Sequence, residues 1–329
     1  MSSFKAFRIH DEDGTIRAGF EQMDVDDLTE GEVVIRVSYS DVNYKDALAA
    51  TGKGKILRKP PLNGGIDLAG TVDSSSDDRI KEGDKVLVCG CSLSETIDGG
   101  YAEFARIPAD CVVKIPDGIS EREAMAIGTA GFTAALAVMR MEQNGQTPQH
   151  GPIVVTGATG GVGSIASDIL AGRGYSITAF TGKKDQYDYL RSLGVTEFID
   201  RNEIEMGSRP LEKAQWGGAV DNVGGDTLGW LTRTVKPWGC IASIGLAGGF
   251  KLETTVMPFI LRGVALLGIN SIEMPTSMRD EAWQRLATDL KPRHLDKIVT
   301  NEVSFDDLPS VFDDYISAGV TGRTVVKIT

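Results

Sequence analysis

Histidine and cysteine are scarce in this chain. Its 329 residues hold three histidines, His10, His150 and His294, and four cysteines, Cys89, Cys91, Cys111 and Cys240. Structural and catalytic zinc sites draw on Cys, His and carboxylate ligands at recognisable spacings. No such spacing occurs here, and four cysteines spread over this length suggest no disulfide framework. No apolar run reaches the roughly 20 residues of a membrane span. Met1 to His10 contains Lys5 and Arg8 but no apolar core of leader length, so no signal segment is expected. Positive charge is also in deficit: 34 Lys and Arg stand against 46 Asp and Glu, a net charge of −12. A protein whose main partner is nucleic acid wants a basic face. An anionic small molecule stays open, because local charge can oppose the global sign. There is no internal repeat and no low-complexity linker. These absences leave a reduced, cytoplasmic, globular protein. The length suggests two domains with ample material for a core.

The most informative segment present is Ile153-Val-Val-Thr-Gly-Ala-Thr-Gly-Gly-Val-Gly-Ser164. Ile153 to Thr156 reads as a buried parallel strand, Gly157 to Gly161 as a small-residue turn, and Val162 to Leu170 as a helix. Strand, glycine turn and helix in that order form a phosphate cradle, because the helix N-terminus offers unpaired N–H groups and partial positive charge. Read as G-x-G-x-x-G, the motif has Ala158 in its first position, then Gly160 and Gly163. Gly160, Gly161, Val162, Gly163 and Ser164 are the candidate pyrophosphate-binding residues. The second strand, Tyr175 to Thr181, ends in Thr181-Gly182-Lys183-Lys184 and carries no acid at its tip. A carboxylate there would hold the ribose 2′-hydroxyl of NAD. A hydroxyl and two ammonium groups suit a 2′-phosphate instead, with Arg201 either closing over the adenine or adding charge; the alternative for Lys183 and Lys184 is a solvated helix start. NADP(H) is therefore the expected cofactor.

The chain changes texture near residue 125. Before it, short β-like runs (Val33 to Ser38, Gly70 to Asp73, Lys85 to Cys89, Tyr101 to Ile107, Cys111 to Ile115) alternate with turn signals, which suggests a small barrel or rolled sheet. Ser120 and Glu123 form a capping box for a helix running through Met125 to Leu136. After residue 150, strands at Gly218 to Asn222, Gly239 to Ile244 and Val264 to Ile269 continue a doubly wound parallel sheet. The last strand, Gly322 to Thr329, has no βαβ partner and is expected to return to the N-terminal domain. The expected fold is α/β: a catalytic β domain from residues 1–124 and 265–329, and a Rossmann NADP-binding domain from 125–264.

This organisation resembles the medium-chain dehydrogenase/reductase superfamily, whose N-terminal domain is GroES-like. Zinc-dependent members carry Gly-His-Glu where this chain reads Gly65-Ile66-Asp67. The His ligand is replaced, and the resemblance implies a zinc-free branch. Closer still, Asn43-Tyr-Lys-Asp-Ala-Leu48, Thr51-Gly-Lys-Gly-Lys-Ile56, Ile127 to Thr133, Gly245 to Gly249, Thr254 to Arg262 and Gly322-Arg-Thr324 resemble the acrylyl-coenzyme A reductase family. That resemblance implies NADPH-dependent reduction of the 2,3-double bond of acrylyl-CoA to propanoyl-CoA.

In such a reaction hydride reaches the β-carbon, charge builds on the thioester oxygen, and the α-carbon gains a proton. The resemblance implies Tyr44 as the hydrogen-bond donor and acid, since a phenol holds its proton at neutral pH. The alternative for Tyr44 is a stacking or capping role at the cofactor. Asn43 and Asp46 are expected to orient the loop, with Asp46 open to a proton relay. Asp41 and Asp67 read as structural. Strand-end residues complete the cofactor set: Asn222 (or an Asx turn there), Leu246, Ile269 and Asn270, with Arg323 expected either on a phosphate or as a surface arginine. The run Lys53, Lys55, Arg58, Lys59 is a candidate coenzyme A anchor or simply a solvated face. Two other functions stay open: a zinc-free quinone or enone reductase, and a non-catalytic NADPH-binding protein. The strand Val264 to Ile269 is expected to pair across a two-fold axis in a homodimer.

Overall fold

The computed structural model describes residues 3–329. The chain divides into two compact units: residues 1–129, 272–287 and 295–329 form the first, and 130–271 with 288–294 form the second.

Unit 1 begins with a hairpin. Strands β1 (Phe4–Glu12) and β2 (Thr15–Met23) pair antiparallel across Asp13-Gly14, both residues at positive φ. Asp-Gly is the strongest local hairpin signal, and it went unread in the sequence because the flanking alternation is interrupted by charge. Strand β4 (Leu62–Asn63) joins β1 on its other side. The second sheet holds β3 (Val33–Val42), β5 (Asp67–Ser75), β6 (Lys85–Cys89), β7 (Phe104–Ile107), β8 (Val113–Lys114), β15 (Val299–Ser304) and β16 (Arg323–Lys327). Strand β16 lies antiparallel on β3, so the C-terminus does return to the N-terminal unit. Helix α1 (Tyr44–Thr51) follows β3 and ends at Gly52, whose φ of 69° is the left-handed cap geometry. The core of this unit gathers Phe7, Ile9, Ile35, Val37, Leu62, Leu68, Tyr101, Phe305 and Phe312.

One expectation about cysteine is overturned here: Cys91 and Cys111 form a disulfide, with Cα atoms 5.9 Å apart and a sequence separation of 20. The fold brings the loop after β6 against the turn before β8, an adjacency that spacing alone does not encode. Cys89 and Cys240 are free and buried.

Unit 2 is a six-stranded parallel sheet in the order β11 (Val195–Asp200), β10 (Ile177–Thr181), β9 (Ile153–Thr156), β12 (Trp216–Asp221), β13 (Val235–Ser243), β14 (Ala265–Gly268). This is the 3-2-1-4-5-6 order of a dinucleotide fold, with the ligand crevice where the order reverses, between β9 and β12. Helices α3 (Gly161–Gly172), α4 (Tyr187–Ser192), α5 (Gly225–Thr234) and α6 (Met257–Arg262) connect its strands.

Helix α2 (Glu121–Gln143) starts at the expected capping box: the Ser120 N–H donates to Glu123 Oε2 at 2.9 Å, and the Glu123 N–H donates to Ser120 Oγ at 3.2 Å. It is long and apolar enough to cross a membrane, contrary to expectation, yet 89% of its most apolar window is buried within the protein. Gly128 breaks it, at φ 50° and ψ −161°.

Candidate functional site

The two units each carry part of the chemistry. In unit 1, α1 presents Tyr44 as the first residue of its first turn, with the ring 52% exposed. Around it Asp41 and Asp46 are buried and Asn43 is half-buried. Asn43 Nδ2 donates to Asp41 Oδ1 at 2.7 Å and to Asp67 Oδ2 at 2.9 Å, while its Oδ1 accepts from Arg323 Nη1 at 3.0 Å. Asp67 also accepts from the Thr129 N–H at 2.8 Å and the Thr129 hydroxyl at 2.6 Å. Asp46 accepts from the Asn43 N–H at 2.8 Å and the Ile66 N–H at 2.9 Å, tying the head of α1 to the Gly65-Ile66 turn.

Three carboxylates, one amide and one guanidinium are thus buried together. Burial pushes the Asp46 carboxyl up to about 7, with its backbone donors pulling the other way. Burial also pushes Asp41 well up, against the pull of Arg323, whose Nη2 lies 2.6 Å from Asp41 Oδ2. Asp46 is 1% exposed and both its oxygens are held by backbone N–H groups, which makes it a brace rather than a relay. Gly128 is needed at this cluster, because a side-chain carbon there would lie 2.6 Å from Arg323 Nη2 and 3.0 Å from Asp67 Oδ2.

Arg323 departs from its expected place on a phosphate. It is 2% exposed. Its donors reach Ala126 O at 3.1 Å, Val42 O at 3.3 Å, Met125 O at 3.4 Å, Asn43 Oδ1 and Asp41. That guanidinium braces the Tyr44 loop and has nothing left for a cofactor. Ile66, which the family resemblance sets against a zinc-ligating His, is buried, and the Cys91 sulfur is committed to Cys111.

Unit 2 carries the phosphate cradle. Gly157 turns the chain at φ 59°, and α3 begins at Gly161 with Gly160 as its cap. A side-chain carbon at Gly163 would lie 2.7 Å from Ala158 Cα, so only glycine lets helix and strand approach. Gly160, Gly161 and Val162 leave their backbone at the open helix end. Ser164 does not face it: its side chain is buried and its Oγ donates to Ala158 O at 3.2 Å.

At the end of β10, Thr181 Oγ1 accepts from the Lys183 N–H at 3.2 Å. Over Gly182, Arg201 Nε and Asn202 Nδ2 would each lie 2.9 Å from an added side-chain carbon. Burial lowers the Lys183 ammonium, Asp185 raises it, and the nearby Arg201 charge lowers it further. A guanidinium and an amide therefore converge over one glycine, with Lys183 next in the chain, a suitable seat for a phosphate dianion. Lys184, expected beside Lys183, is instead paired with Asp200 at 2.9 Å and Glu203 at 2.6 Å. Arg201 takes its place. Asn202 was not anticipated; its position directly after the candidate Arg201 was the available signal.

Asn222 holds the strand ends at the crevice. Its N–H donates to Thr156 Oγ1 at 2.9 Å and its Nδ2 to Thr156 O at 2.7 Å. Asp221 beside it accepts from Thr156 Oγ1 at 2.7 Å and the Gly224 N–H at 2.8 Å, and burial raises its carboxyl. Leu246 is 66% exposed after β13. The Ile269 N–H donates to Ser243 O at 3.0 Å, and Asn270 follows at the surface.

Comparison with known proteins fits both halves. Residues 29–117 match the alcohol dehydrogenase GroES-like domain, and residues 161–288 match the zinc-binding dehydrogenase family. The acrylyl-CoA reductase AcuI of Ruegeria pomeroyi is 47% identical, over 97% of this chain and 96% of its own. The chain belongs to the acrylyl-CoA reductase family of the medium-chain dehydrogenase/reductase superfamily. A second member, YhfP of Bacillus subtilis, described as a putative quinone oxidoreductase, is 45% identical over 99% of each chain. Its crystal structure with NAD bound covers all of both chains at a TM-score of 0.97. The yhdH oxidoreductase of Salmonella enterica, crystallised with NADP, is 46% identical and superposes at 0.95 over 99% of this chain and 100% of its own.

Proposed function

We propose that this protein reduces the 2,3-double bond of acrylyl-CoA to give propanoyl-CoA, with NADPH as reductant. Full-length membership of the acrylyl-CoA reductase family carries the reading, and the braced, outward-facing Tyr44 supplies the chemistry it requires. Bound NADPH supplies the hydride that the β-carbon accepts. The N–H groups of Gly161 and Val162 hold its pyrophosphate at the N-terminus of α3, while the Gly160 N–H closes the turn on Gly157 O at 3.0 Å. Lys183, Arg201, Asn202 and the Thr181 hydroxyl hold its 2′-phosphate. The backbone of Ile269 and Asn270 and the side chain of Leu246 border the nicotinamide end, with Asn222 keeping the crevice open.

Tyr44 donates to the thioester oxygen as negative charge builds there, and then protonates the α-carbon. Asn43, Asp46, Asp41, Asp67 and Arg323 act through it, fixing the backbone that aims the phenol. One well-aimed donor is worth about 3–4 kcal/mol of barrier. Tyr44→Phe should therefore lower kcat by roughly 10²–10³-fold while the Kd for NADPH stays within twofold. An unchanged kcat would remove Tyr44 from the proton path.

A homodimer belongs to the same proposal. Strand β14 is the open edge of its sheet, and Trp238, Phe250, Val256, Ile260 and Leu261 of the same unit are 62–81% exposed. Apolar patches beside an unpaired strand edge usually mark an interface. A cytoplasmic setting is also proposed, where both cofactor and thioester are drawn from the metabolite pool. The quinone reductase reading keeps one support, the description given to YhfP. The deciding assay follows NADPH oxidation with acrylyl-CoA, with NADH and a simple quinone in parallel. Turnover of the quinone without turnover of the thioester would replace the proposal.

A further inference from the structure

Unit 1 carries a cationic segment that the Tyr44 loop does not use. Lys53, Lys55, Arg58 and Lys59 fall in one seven-residue stretch that follows α1, with no acid among them, in a chain of net charge −12. All four are exposed. Lys5, Lys45, Lys81, Lys85 and Lys114 of the same unit each pair with a carboxylate. Among the described residues, Lys53, Lys55 and Lys59 have no such partner. Lys55 and Arg58, with Leu57, Pro60 and Asp11, line a depression of about 530 Å³. Buried Leu57 anchors this segment to the core.

The depression is mechanically tied to Tyr44. The Arg58 N–H donates to Glu95 O at 2.7 Å, and Arg58 Nε lies 3.5 Å from Glu95 Oε2. The other oxygen of that same carboxylate pairs with Lys45, the residue after Tyr44. At the far end of α1, the Gly54 N–H donates to Leu48 O at 3.3 Å. Eight residues of helix, about 12 Å, separate the Tyr44 end from the basic segment. A thioester at Tyr44 would trail a flexible pantetheine arm of that order along α1 toward the cations.

We propose that this depression binds the phosphates at the nucleotide end of the acyl-CoA, with Lys55 and Arg58 as direct ligands and Lys53 and Lys59 flanking them. The inference rests on the acyl-CoA reading of the active site. Asp11 sits in the same depression, its Oδ1 fixed by the Gly14 N–H at 2.7 Å, and opposes an anion there.

The test is steady-state kinetics of the full-length protein at saturating NADPH. The substrates are acrylyl-CoA, acrylyl-dephospho-CoA and acrylyl-pantetheine. In the K55A/K59A variant, kcat/KM for acrylyl-CoA relative to acrylyl-pantetheine should fall roughly tenfold, as for the loss of one direct and one flanking charge. The dephospho substrate should fall in between. D11N should move the same ratio the other way, by about two- to threefold. K81A, a single lysine removed elsewhere on unit 1, should leave it alone. A ratio unchanged in K55A/K59A and D11N overturns the inference while the acyl-CoA reading survives. Calorimetric titration with free CoA separates the remaining case. Wild type that reduces no thioester yet binds CoA through Lys55 and Lys59 keeps the site and loses the reaction; no CoA binding at all removes both.

Discussion

Arg323 is where the structure departs most sharply from the sequence, and replacing it separates the two readings. In Arg323→Met the apolar stem is kept and the guanidinium is lost. Asp41 would then stay buried without its 2.6 Å partner, and Val42 O, Met125 O, Ala126 O and Asn43 Oδ1 would each lose a donor. Breaking a buried ion pair by removing one member costs about 3–5 kcal/mol. A cooperative unit of 150–250 residues shifts by about 2–4 °C per kcal/mol, so Tm should fall by roughly 10 °C. Thermal unfolding followed by circular dichroism and urea titration both read this. The double variant D41N/R323M should recover part of the loss, because it removes the stranded carboxylate. If Arg323 were a phosphate ligand, the single variant would unfold within about 2 °C of wild type and instead raise the KM for NADPH about tenfold or more. That result would refute the bracing role.

Three further outcomes are expected. Lys183→Ala and Arg201→Ala should each lower the preference for NADPH over NADH about tenfold or more, the worth of a charge-assisted hydrogen bond. Lys184→Ala should change it little, since that ammonium is committed to Asp200 and Glu203; equal effects of all three in cofactor titrations would contradict the geometry. Asp46 is lifted from 3.8 to about 7 by burial. The folded state therefore holds this proton more tightly than the unfolded chain, and the stability it contributes is full below pH ~4 and lost as pH rises through about 7. Asp46→Asn should flatten the fall in Tm between those limits; a parallel curve would show that another group sets it. Replacing Cys91 and Cys111 by Ala opens a loop of about 20 residues and should cost about 3 kcal/mol. An unchanged urea midpoint would argue against the bridge in solution.

The parallel sheet and its cradle were legible because their determinants are local. A β-branched strand, a glycine turn and an amphipathic helix lie consecutively in Ile153 to Leu170, and short-range sterics dictate the outcome. The missing acid after Thr181 was equally readable, and so was the missing histidine at Ile66. The returning C-terminal strand could be inferred only because Gly322 to Thr329 had no partner nearby.

Side-chain partners were a different matter. Nothing local distinguishes Lys183, which faces Arg201, from Lys184, which faces two acids. Arg323 meets Asp41 across 282 positions of sequence only because β16 lies on β3. Cys111 finds Cys91 because two loops are packed together, and Gly128 is required by charges brought to it from β3, β5 and β16. Backbone conformation and residue pattern, which depend on neighbours in the chain, were fixed by the sequence read alone. Which charges neutralise one another was decided by the tertiary fold, because Coulomb and hydrogen-bond energies depend on distances that exist only after the strands have paired.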